Sequence, residues 1–143
     1  MIRAAVVERA IAAEPLTREV AGHENGAIAL FLGTVRSSND GKPVEGIEYT
    51  AYREMAETEM NAILGEAMRH HGFSSAVVEH RIGTLEVGDV SIGIAVSSPH
   101  RRAALEALEY IVEEVKRRAP VWKLEHYQDG TREWVGAGGA VAK

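Results

Sequence analysis

Two prolines, Pro99 and Pro120, bracket a segment in which Leu105, Leu108, Ile111, Val112 and Val115 recur at helical spacing. A stripe of that kind commits one face of a helix to a core and the rest to solvent. Ser98 reads as the N-cap, Pro99 as the first helical residue, and Pro120 as the stop. A second stripe, Met60, Ile63, Leu64, Ala67 and Met68, predicts a helix over 54–71 that Gly72 ends. Pro15 suits the start of a short helix at 13–16. Apolar runs of strand length surround these helices, at 2–7, 27–35, 46–52, 75–82, 90–97, 121–127 and 131–135. Gln128-Asp129-Gly130 is a hairpin turn between the last two. Residues 37–43 read as a turn-rich loop and 83–89 as a connection. Two long helices set between strands imply an α/β (α+β) sandwich with one helical layer. The expected organisation is a single domain over 1–135 and a flexible glycine-rich tail over 136–143.

With 143 residues, the chain is long enough to bury one core. No run is apolar enough to cross a membrane and the N-terminus lacks a signal-peptide pattern, so a cytoplasmic location without membrane contact is expected. The net charge of −5 disfavours nucleic acid, whose phosphates call for a basic domain. Cysteine is absent, which removes cysteine nucleophiles, disulfides and iron–sulfur ligation. Six histidines show no H-E-x-x-H spacing, and no phosphate-binding glycine loop occurs. Neither a metal nor a cofactor is expected. If the chemistry involves sulfur, a partner must carry it.

Local basic clusters point instead to a small anionic ligand. His100, Arg101 and Arg102 sit at a helix start, where cationic side chains oppose the helix dipole at a cost of ~0.3–1 kcal/mol each. A bound anion would offset that cost and use the unpaired N–H groups. Arg36 stands where an apolar strand gives way to a polar loop, a place suited to bidentate recognition of phosphate or carboxylate. Lys116 lies in the last turn of the long helix, where favourable interaction with the dipole is an equally simple account. Lys123 interrupts an apolar strand, and a partly buried lysine can act as a general acid or base. Pro120 fixes the chain between the two lysines, which would let both amines share one pocket wall. Arg101 and Lys116 are fifteen residues apart on one helix, or about 22 Å at ~1.5 Å per residue. A single small ligand cannot touch both unless a second copy, related by a twofold axis, lends His100 and Arg101 to its neighbour.

Phe31-Leu32-Gly33-Thr34-Val35-Arg36, the run from His80 to Asp89, Ser98-Pro99-His100-Arg101 and the run from Lys116 to Lys123 occur in this order. Together they resemble the large, catalytic subunit of molybdopterin synthase over about residues 26–135. The resemblance implies a hammerhead-type sandwich of mainly antiparallel strands with two long helices, and a central homodimer within a heterotetramer. It implies as partner a small ubiquitin-like sulfur-carrier subunit whose C-terminal Gly-Gly thiocarboxylate enters the pocket. Its implied substrate is cyclic pyranopterin monophosphate, which takes up sulfur to become the dithiolene of molybdopterin in molybdenum cofactor biosynthesis. By position, Lys116 and Lys123 match the family's catalytic lysines and Arg36 its substrate-binding arginine. His100 and Arg101 match the pair supplied by the other copy, and Thr34, Val35, Leu124 and Glu125 flank these positions as further pocket residues. Two other readings stand beside it: a non-catalytic module holding a phosphorylated metabolite, and an acylphosphatase-like phosphoryl-transfer enzyme using Arg36 as its clamp.

Overall fold

The computed structural model describes residues 1–135, so the expected flexibility of 136–143 lies outside the described residues. The elements run β1 (Ile2–Val7), α1 (Ala13–Val20), β2 (Ala27–Thr34), β3 (Ser38–Asn39), β4 (Lys42–Ala51), α2 (Arg53–His71) and β5 (Ser75–Arg81). They continue with β6 (Gly83–Glu86), β7 (Val90–Ser98), α3 (Arg101–Arg118), β8 (Val121–Tyr127) and β9 (Arg132–Val135). One sheet has the order β1-β5-β7-β2, with β1 parallel to β5 and the other pairs antiparallel. The second has the order β3-β4-β8-β9, with β6 also paired to β4, and is antiparallel throughout. No helix among the described residues is long and apolar enough to cross a membrane.

The central strands β5 and β7 are apolar almost without a break because both faces of their sheet are covered. On one face Val6, Val78, Ile94 and Val96 meet Met60, Ile63 and Leu64 of α2 and Ala104, Ala107, Ile111 and Val115 of α3. On the other face Val77 and Ala95 pack against Leu16 and Val20 of α1. The single helical layer expected from the sequence is therefore corrected to helices on both faces. Eight residues of α1 suffice, since Leu16 and Val20 form a short stripe over the sheet centre.

Helix α3 also differs from expectation. Ser98 ends β7, paired with Ala27 and almost fully buried, so it does not cap the helix. The Pro99 carbonyl accepts from the Gly26 N–H at 3.3 Å, and His100, in extended conformation, is the N-cap. The first turn therefore begins at Arg101 and holds no acidic residue. Leu105, expected in the buried stripe, is 58% exposed. The stripe facing the sheet runs through Ala104, Ala107, Ile111 and Val115 instead, because small alanines let the helix lie close at its start. The 83–89 connection contains β6, which is too short to show alternation. The 37–43 loop is a hairpin in which Asp40 (φ 51°) and Gly41 (φ 77°) form the two-residue turn between Asn39 and Lys42.

The β1 edge of the first sheet is closed by side chains from α2. The Val6 N–H donates to the Glu57 carboxylate at 2.8 Å, and Arg53 and Asn61 donate to the Val6 and Ala4 carbonyls at 2.6 and 3.4 Å. At the opposite edge β2 has no strand beyond it among the described residues.

Candidate functional site

Residues directly opposite each other in an antiparallel ladder share a face. In β4 and β8 the opposed pairs Tyr49/Lys123, Ile47/Glu125 and Val44/Tyr127 therefore form one stripe, and β9 extends it with Val135 beside Lys123 and Glu133 beside Glu125. Val44, Ile47 and Tyr127 sink into a small core with Val35 and Leu85. Above that core lies a small pocket open to solvent, lined by Thr34, Arg36, Asn39, Tyr49, Lys123 and Glu125 among others.

The pocket floor carries a chain of hydrogen bonds. Lys123 Nζ lies 3.2 Å from Glu125 Oε1. Glu125 Oε2 accepts from the Tyr127 hydroxyl at 2.6 Å and from Asn39 Nδ2 at 2.8 Å. The Asn39 carbonyl oxygen accepts from Arg36 at 3.4 Å. Glu125 is 3% exposed. Burial pushes its carboxyl upward, but the bonds from Tyr127 and Lys123 outweigh that, so it lies below the ordinary carboxylate range and stays ionised. The same bond to Glu125 raises the Tyr127 phenol to about 12 and fixes it as donor.

The C-terminal turn of α3 contributes no residue to the pocket lining, so Lys116 does not share a wall with Lys123 within one chain. Three basic residues follow one another there, and the structure separates them. Arg117 is paired with Glu114 at 2.8 Å. Arg118 bridges to α2 through Glu59 and Glu66, at 2.7 Å each. Arg118 and the Tyr110 hydroxyl together hold the Glu66 carboxyl down to about 2. Lys116 makes no ion pair among the described residues; its ammonium lies 5.8 Å from the Phe31 ring centroid on β2. Thr34 and Arg36 follow three and five residues further along that chain, so Lys116 stands beside the strand that leads into the pocket.

The remaining predicted residues divide. Thr34 lines the pocket, but Val35 is buried in the small core beneath it. Leu124 alternates with Lys123 and so belongs to the opposite face of β8 from the pocket stripe; its side chain does not line the pocket. Glu125 is there, as the base of Lys123. His100 and Arg101 are exposed at the far end of α3 from Lys116 and do not reach this pocket within one chain. Asn39, Tyr49 and Tyr127 went unnoticed in the sequence. The alternation Lys123, Glu125, Tyr127 along one strand face was the available signal for the last. His80 was also missed: it packs edge-on against Tyr49, centroids 5.2 Å apart, and its Nδ1 lies 3.1 Å from the Arg81 carbonyl oxygen. Burial pushes its imidazole down to about 4, so it is neutral.

What this arrangement can do chemically is bind an anion with Arg36 and bring an ammonium, held on a buried carboxylate, against the atom where negative charge develops. Comparison with known proteins points the same way. Residues 6–118 match the family described as MoaE protein. The molybdopterin synthase catalytic subunit of Bacillus subtilis is 41% identical over 136 residues, covering 95% of this chain and 86% of its own. The crystal structure of molybdopterin synthase from Staphylococcus aureus superposes with a TM-score of 0.87 at 36% identity, covering 92% of this chain and 96% of that one. A Helicobacter pylori complex of subunits 1 and 2 of molybdopterin-converting factor shares the fold, with a TM-score of 0.71 at 22% identity over 90% of this chain and 87% of that one.

Proposed function

The chain belongs to the MoaE protein family, and on that premise we propose that it is the catalytic subunit of a molybdopterin synthase. It transfers sulfur from the C-terminal thiocarboxylate of a small carrier protein to cyclic pyranopterin monophosphate, making the dithiolene of molybdopterin. The observation that carries the reading is the convergence of Arg36 and Lys123 on one open pocket, with the unpaired Lys116 beside the strand that feeds it. The absence of cysteine agrees with sulfur arriving on the partner.

Arg36, being permanently charged and with one side-chain hydrogen bond among the described residues, to Asn39, is suited to take the phosphate. The thiocarboxylate sulfur bonds to a pterin carbon. Water then adds to the acyl carbon, so that the carbon–sulfur bond to the carrier breaks and the carrier leaves as its carboxylate. Lys123 and Lys116 stabilise the charge on the acyl oxygen and move the protons. Glu125 acts beneath Lys123 rather than on the substrate. His100 and Arg101 belong to the pocket of a second copy, which places the functional unit as a homodimer with a carrier subunit on each chain. The Helicobacter pylori assembly of two different subunits on this fold supports such a partner.

Reconstitution tests the reading. The full chain, a thiocarboxylated carrier and cyclic pyranopterin monophosphate are combined, and molybdopterin is measured as its fluorescent oxidation product. Product that depends on the thiocarboxylate is the expected result. Tight pterin binding and an intact carrier complex without product would instead favour a non-catalytic binding module.

A further inference from the structure

We propose that Asn39 is a positioning residue of this site, an amide adapter that sets the Arg36 guanidinium and the Lys123 ammonium relative to one another through Glu125. Its place in the reaction rests on the function proposed above; its effect on Lys123 does not.

A carboxamide has two chemically different ends, a double donor and an acceptor. The Asn39 NH₂ end meets two oxygens, Glu125 Oε2 at 2.8 Å and the Tyr127 hydroxyl at 3.3 Å. Its carbonyl end meets the Arg36 guanidinium at 3.4 Å. The reversed orientation would set oxygen against carboxylate and NH₂ against guanidinium, so the surroundings admit one orientation only. The backbone of Asn39 is fixed as well. It pairs with Lys42 across the Asp40-Gly41 turn, and the Val44 N–H donates to the Ser37 carbonyl at 2.8 Å.

The need for such an adapter follows from charge. Glu125 is a buried anion whose charged neighbours in the pocket lining are the cations Arg36 and Lys123, while Glu133 of β9 approaches the Tyr127 hydroxyl from outside that lining at 3.1 Å. Its Oε1 faces Lys123, while its Oε2 is satisfied by Tyr127 and Asn39. With both donors on Oε2, part of the carboxylate charge is spread over neutral groups, and the ammonium remains available to the pocket. Without Asn39, a buried carboxylate oxygen loses a donor and Lys123 is left to compensate. Arg36 at the same time loses its one hydrogen bond among the described residues. Neither arginine nor lysine would be removed, yet both would be displaced.

Asn39→Asp preserves shape but replaces the donor with an acceptor facing Glu125. We expect this variant to fold and to lose about tenfold or more in turnover, with KM for the pterin also raised. Glu125→Gln in the same chain reverses the pair, so that residue 125 donates and residue 39 accepts, and turnover should recover several-fold relative to Asn39→Asp alone. Competitive acetylation of the full chain, read by mass spectrometry, gives a measurement independent of any substrate. The rate at Lys123 should change in Asn39→Asp while that at Lys116 does not. Turnover of Asn39→Asp within twofold of the parent chain, or an unchanged Lys123 rate, would overturn the assignment. Absence of molybdopterin from the parent chain overturns the reaction instead, and leaves the acetylation result to decide the role of Asn39.

Discussion

At the scale of single residues, charge neighbours in sequence are not charge equivalents. Lys116, Arg117 and Arg118 are one basic run, and favourable interaction with the end of α3 would serve for all three. In the fold, Arg117 and Arg118 are consumed by glutamates, and of the three only Lys116 has no carboxylate partner among the described residues. Two substitutions should therefore behave in opposite ways. Lys116→Ala should abolish molybdopterin formation and leave the thermal midpoint almost unchanged. Arg118→Ala strips the partner from Glu59 and Glu66 between α2 and α3, and should lower the midpoint by several degrees while the pocket keeps its lysines. Paired assays of turnover and thermal unfolding check both. Arg36 stands out in the sequence at a strand end, Lys116 at a helix end and Lys123 as an interruption of an apolar strand, and of these the structure brings Arg36 and Lys123 to one pocket. The Asn39–Glu125–Tyr127 support was not, because Asn39 and Glu125 are brought together from distant parts of the chain by the pairing of β3, β4 and β8.

At the scale of elements, periodicity located the two long helices, apolar runs the long strands, and Pro15 only the start of α1, which runs on to Val20; pattern failed where packing overrides it. Leu105 continues the apolar rhythm of α3, yet the sheet accepts alanines at 104 and 107 and leaves Leu105 in solvent. Replacing Leu105 with Ser should shift the stability of the isolated chain by less than about 0.5 kcal/mol, the ordinary range for a surface site. Gly93 is the contrary case, inconspicuous in the sequence and tightly enclosed in the structure. A Cβ there would stand 2.5 Å from Leu16 Cδ1 and 2.9 Å from Ile11 Cγ2, both well buried beneath α1. Gly93→Ala should cost about 1–3 kcal/mol through overpacking, read as a lower urea midpoint with an unchanged slope. The helix start at His100 instead of Ser98 has the same origin. The β7–β2 ladder continues to Ser98, and a residue held in a ladder cannot also cap a helix.

At the scale of the whole molecule, the two sheets meet where His80 of the first packs on Tyr49 of the second, beside the pocket. Burial lowers the imidazole from 6.5 to about 4, so between those values the unfolded chain holds a proton that the folded chain does not. Stability then rises with pH across that window: the contribution is fully present above about 6.5 and is lost as pH falls toward 4. A shift of this size is worth on the order of 3 kcal/mol. Urea midpoints measured from pH 7 to 4.5 should fall, and His80→Phe should flatten the part due to this group. Light scattering addresses the shared pocket: the proposed dimer has twice the 15.5 kDa of one chain, and a monomer would leave His100 and Arg101 without a place in the site.

The capped β1 edge gives the first sheet a polarity that its strand order alone does not express. Glu57, Arg53 and Asn61 occupy backbone groups that an incoming strand would need, so the sheet is finished on that side. Among the described residues, the edge left open to any ordered extension, by another chain or by a misfolded copy, is β2. That is the strand whose far end leads into the pocket, so growth of the sheet and access to the chemistry compete for the same margin of the protein.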